Sequence, residues 1–169
     1  AEYAAGGIYN AGTLTLQDGS RVTGNRSQNR GGGIENAYGT VTLQAGSQVA
    51  GNSARNTGGG FVNAAGTTTL QAGSLIGGDT PGEANSAGAG GGIANTGGSL
   101  TLETGSRVTG NHATFGGGGI FTNSGVVTLQ GGSQVTGNSA DSNGGIAGGG
   151  GSVVTLEAGA LVCGNTPAT

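Results

Sequence analysis

Thr40-Val41-Thr42-Leu43-Gln44-Ala45-Gly46-Ser47-Gln48-Val49-Ala50-Gly51-Asn52 is the stretch that decides the fold. Residues 40–44 alternate polar and apolar, the period-two signature of a strand with one buried face. Gly46-Ser47 turns the chain, Gln48-Val49-Ala50 reads as another short strand, and Gly51-Asn52 closes a corner. Just upstream, Gly33-Ile34-Glu35-Asn36 gives a further strand and Gly39 a turn. The same grammar recurs around Leu16, Leu43, Leu70, Leu102, Leu129 and Leu156, which are spaced 27, 27, 32, 27 and 27 residues apart. Nine residues after each Leu stands Asn25, Asn52, Asp79, Asn111, Asn138 or Asn165.

A period of this size means a solenoid, in which each repeat buries its apolar face by stacking on its neighbours. The reading is an all-β, single-stranded parallel β-helix (β-solenoid) of six coils, with three short strands per coil. It forms a single domain over residues 1–169, with a loop insertion at 80–89. Four inward stacks are legible. They run from Ile8 through Ile34, Phe61, Ile93 and Ile120 to Ile146, from Leu14 through Val41, Thr68, Leu100 and Val127 to Val154, along the Leu series, and from Val22 through Val49, Ile76, Val108 and Val135 to Val162. Only Thr68 is polar, and each apolar member contributes roughly 1.5–3 kcal/mol when buried. The glycines before each Asn suit corners with positive φ. The asparagines suit the same corner through their tolerance of left-handed backbone, and their amides can bond along the axis.

Composition narrows the function classes. Glycine accounts for 43 of 169 residues without a collagen-like triplet period. The five cations are all arginine and the net charge is −3, so the basic stripe of a nucleic-acid binder is missing. No apolar run is long enough to span a membrane. The absence of Met and the start at Ala1-Glu2 suit a mature secreted product or a piece of a longer chain. The single Cys163 has no partner for an internal disulfide.

Two motifs recur. One is Gly-Gly-apolar, at Gly32-Gly33-Ile34, Gly59-Gly60-Phe61, Gly91-Gly92-Ile93 and Gly118-Gly119-Ile120. The other is apolar-x-x-Asn, from Val22 to Asn25, Val49 to Asn52, Val108 to Asn111, Val135 to Asn138 and Val162 to Asn165. Over nearly the whole chain they resemble the repeats of polymorphic outer-membrane proteins and related bacterial autotransporter passengers, with Val in place of Phe in the second motif. The resemblance implies a right-handed β-helix, secreted or displayed on a bacterial cell surface, with adhesion as a common use.

Three surfaces are candidates for function. The outward face of the Thr-x-Thr strand carries Thr13, Thr15, Thr40, Thr42, Thr67, Thr69, Ser99, Thr101, Thr128 and Thr155. It looks like the Thr-x-Thr face of β-solenoid antifreeze proteins, which makes it a candidate ice- or surface-binding array. The segments between each Asn corner and the next Gly-Gly form a loop edge that gathers Arg26, Arg30, Arg55, His112 and Phe115, a candidate site for acidic surface glycans. The terminal coils carry Ile8, Leu14, Leu16 and Val22 at one end and Val154, Leu156 and Val162 at the other. Open strand edges template further pairing, so these residues are the candidate end-to-end interface, with a second copy of the chain or flanking coils of a longer chain as partner.

Enzymatic activity is not expected. Glu103 and Glu157 occupy one repeat position two coils apart, within reach of an inverting carboxylate pair, but Gln fills that position in the other coils. No cofactor or metal is expected. The overall expectation is an extracellular structural or adhesive rod, with ice binding and glycan binding as alternatives.

Overall fold

A computed structural model describes residues 5–167. The chain winds into a β-solenoid of parallel six-stranded sheets, with no helix among the described residues. The first sheet stacks Ile8–Asn10, Ile34–Asn36, Phe61–Asn63, Ile93–Asn95, Ile120–Thr122 and Ile146–Gly148. The second stacks Thr13–Leu16, Thr40–Leu43, Thr67–Leu70, Ser99–Leu102, Val126–Leu129 and Val153–Leu156. The third stacks Arg21–Thr23, Gln48–Ala50, Leu75–Gly77, Arg107–Thr109, Gln134–Thr136 and Leu161–Cys163.

All four inward stacks are in register as the spacing predicts: Ile34 lies over Ile8, Val41 over Leu14, Leu43 over Leu16 and Val49 over Val22. Phe61, Leu70, Ile76, Ile93, Leu102, Ile120 and Leu129 are fully buried. Thr68 is buried with them, and its hydroxyl finds no hydrogen-bond partner.

The expectation of three strands per coil is corrected to four. The segments read as a loop edge pair coil to coil into a fourth sheet, Arg26–Ser27, Ser53–Ala54, Ser86–Ala89, His112–Gly116, Ser139–Ser142 and Thr166–Pro167. Parallel pairing is made by backbone groups, so it needs no apolar side chain. Here the inward residues are small: Ser27, Ala54, Ala87, Ala113 and Ala140 are all buried.

The corner asparagines do not take left-handed backbone. The glycine before them does, as at Gly51 with φ 65°. The asparagines instead form an amide column inside the coil. Asn52 Nδ2 donates to Asn85 Oδ1 at 3.1 Å, Asn85 to Asn111 at 2.9 Å, and Asn111 to Asn138 at 3.0 Å. Each amide also donates to backbone carbonyls, as Asn111 does to Ile76 and Thr109.

Asp79, assigned to this column by its distance from Leu70, is not in it. Asn85 holds the place, 33 residues after Asn52 and 26 before Asn111. The reason is chemical, because a column member must donate and accept while a carboxylate only accepts. The insertion therefore lies before Asn85 rather than over 80–89, and Ser86–Ala89 belongs to the fourth sheet.

Candidate functional surfaces

The Thr-x-Thr face is built as the alternation predicts. Thr13, Thr40, Thr67, Ser99, Val126 and Val153 form one rank, and Thr15, Thr42, Thr69, Thr101, Thr128 and Thr155 the other. The first rank is exposed and the second half-buried in the middle coils. None of these hydroxyls bonds within the chain among the described residues. Successive members stand one coil step apart, about 4.8 Å. Val126 and Val153 end the hydroxyl character of the first rank and are themselves exposed.

The axial ends differ from each other. In the last coil Val154, Leu156 and Val162 are 36%, 49% and 37% exposed. In the first coil Leu16 and Val22 are buried, while Ile8 and Leu14 are half-buried against the core. Hydrogen bonding is also unlike at the two ends. Asn138 donates both its backbone N–H and its Nδ2 to Asn165 Oδ1, at 3.0 Å each. Asn165 Nδ2 reaches Val135 O at 2.9 Å, and among the described residues no amide lies above it. At the other end Asn25 donates to Asn52, and its own Oδ1 accepts no bond among the described residues.

A second amide column follows the apolar-x-Asn spacing of the first sheet, in which Asn10, Asn36, Asn63 and Asn95 come two residues after the inward Ile8, Ile34, Phe61 and Ile93. Asn10 donates to Asn36 at 2.8 Å, Asn36 to Asn63 at 2.9 Å and Asn63 to Asn95 at 2.9 Å. It ends at Thr122, whose hydroxyl accepts from Asn95 at 3.5 Å.

The loop-edge residues are not one cluster. Arg30 turns to Glu35, with Nη2 at 2.6 Å from Oε1, and Glu35 is completely buried. A Cβ on Gly31 would come within 2.9 Å of Glu35 Cβ, so the turn after the fourth sheet lies over the outward middle positions of the first. This pair removes Arg30 from the candidate site. Arg26 and Arg55 do come together. With Ser27, Gln28, Ser53, Ala54 and Ser86 they line a shallow recess of about 220 Å³ on the fourth sheet. His112 lies further along the same sheet, in register with Ser86 and with Nδ1 at 3.1 Å from Ser139 Oγ. Phe115, 69% exposed, stands in that fourth coil.

The insertion settles on the third sheet. Asp79 accepts from the Thr109 hydroxyl at 2.9 Å and from Arg107 at 3.1 Å. These hydrogen bonds, Thr109 first, hold its carboxyl below the ordinary value of 3.8. Glu83 is likewise held below its ordinary 4.5 by hydrogen bonds from Thr80 and Gln48, with Arg21 at 3.6 Å adding a weaker pull.

Glu103 and Glu157 stand on one outward rank with Gln130 between them, as the ladder from Leu102 through Leu129 to Leu156 requires. Among the described residues no group of three or more His, Cys, Asp or Glu side chains is placed to hold a metal. Cys163 is exposed at the position of Thr136. Among the described residues no helix is long and apolar enough to cross a membrane. Comparison with protein-family models, with curated proteins and with solved structures gives no match.

Proposed function

We propose that the protein is an extracellular structural or adhesive rod whose coils continue by axial stacking, onto a second copy or onto flanking coils of a longer chain. The observation that carries this reading is the one-way sense of the corner amide column. It presents donors at Asn165 and an acceptor at Asn25, so the last coil of one copy complements the first coil of the next. The exposed Val154, Leu156 and Val162 supply apolar surface at the same face. A head-to-tail contact of this kind does not close on itself and produces filaments. Secretion or surface display is carried over from the resemblance of the Gly-Gly-apolar and apolar-x-x-Asn motifs.

A second reading, ice or lattice adsorption, is favoured by the two registered Thr ranks and their unbonded hydroxyls. One set of measurements separates the two. A single chain is a rod of roughly 30 Å at one coil step per strand. Electron microscopy across a concentration series should show longer rods from the native chain and only short ones from Val154→Asp/Leu156→Asp. Thr42→Lys/Thr69→Lys should leave lengths unchanged. Short particles of the native chain at every concentration would overturn self-stacking. Loss of ice shaping in the Thr42→Lys/Thr69→Lys variant alone would instead establish the second reading.

A further inference from the structure

We infer that the recess on the fourth sheet is a binding site for the carboxylates of an acidic polysaccharide, with Arg26 and Arg55 as its anion-holding residues. This stands independently of axial stacking.

The argument begins with charge. Arg21, Arg30 and Arg107 each face a carboxylate, Glu83, Glu35 and Asp79 respectively. Arg26 and Arg55 have no such partner among the described residues, and these two line one recess. Among the described residues they therefore form an uncompensated pair of cations, on a chain of net charge −3. The acid of the fourth sheet itself, Asp141, lies in the fifth coil.

Geometry adds the rest. Ser53 lies over Arg26 in the ladder, and Arg55 follows two residues on, so the two arginines occupy diagonal positions one coil apart and line the same recess. Arg55 N–H donates to Ser27 O, which holds the two strands in that register at 3.2 Å. The hydroxyls of Ser53 and Ser86 and the amide of Gln28 carry no internal hydrogen bond among the described residues. The surface thus offers two planar forks suited to carboxylates, surrounded by neutral groups that can donate to and accept from sugar hydroxyls. The coil step of about 4.8 Å is close to the length of one pyranose residue. A polysaccharide lying along the axis would then meet successive coils with successive sugars. His112 and Phe115 stand at the fourth coil, where the aromatic ring can pack on a sugar face.

The test is titration of the full chain with trigalacturonate, its fully methyl-esterified form and inorganic sulfate, followed by calorimetry or amide chemical shifts. The native chain should bind trigalacturonate and not the ester. Arg26→Gln and Arg55→Gln should each weaken binding about tenfold or more, the scale of one charged hydrogen bond, and the double variant should lose it. Arg21→Gln, on the third sheet, should bind as the native chain does. An unchanged amide spectrum outside the recess would show that the variants remain folded. The site is overturned if the native chain fails to bind, if the double variant binds normally, or if the ester binds equally well. Equal affinity for inorganic sulfate would overturn the polysaccharide assignment.

Discussion

Thr68 is the one polar member of the inward stacks, and its buried hydroxyl has no partner. Valine stands at the equivalent position in the coil below, at Val41, so the pocket already accepts its shape. Thr68→Val should raise the free energy of unfolding by about 1–2 kcal/mol, the cost of leaving a hydroxyl desolvated, measured by urea denaturation. Asn85 makes the opposite point. Its value is its amide rather than its polarity, and the choice between Asp79 and Asn85 could not be made from distance along the chain. It needed the requirement that a column member donate as well as accept. Glu35 was equally illegible, because nothing in Ile34-Glu35-Asn36 announces that the turn carrying Arg30 folds back over it.

At the scale of the element, the insertion is a separable piece held by carboxylates. Asp79 and Glu83 both titrate below their ordinary values in the folded chain. Groups depressed in this way contribute stability above the unfolded values of about 3.8 and 4.5, and lose it as the pH falls through the folded ones. The insertion should therefore loosen in acid, below about pH 4, while the second sheet keeps its amide shifts. Asp79→Asn should remove the Asp79 share of that pH dependence. Nuclear magnetic resonance of Gly82 and Thr109 across a pH series checks both outcomes.

Three of the sheets were legible because their buried faces repeat branched apolar residues. The fourth was missed because its buried face is alanine. The Ser53-Ala54, Ser86-Ala87 and Ser139-Ala140 pairs do repeat, but small residues carry no hydrophobic signal strong enough to separate a strand from a loop.

At the scale of the whole molecule, each coil touches only its neighbours, so stability adds along the axis. The middle coils have a neighbour on both sides, and their core side chains are fully buried. In the last coil every described residue from Val153 to Thr155 is exposed. Amide hydrogen exchange should thus be slowest around Ile93 to Leu102 and fastest around Val153 to Cys163. Uniform protection along the rod would contradict this, unless axial stacking has already covered the last coil.

The amide columns have one more consequence. Every side-chain to side-chain bond in them runs the same way, from Asn10 towards Thr122 and from Asn25 towards Asn165. Aligned amides add their dipoles head to tail, as peptide units do in a helix, whereas parallel sheets contribute little net moment. The rod therefore has an electrical sense, positive towards the last coil and negative towards the first. Like poles repel, so two rods approaching last coil to last coil meet a barrier that two rods in the same orientation do not.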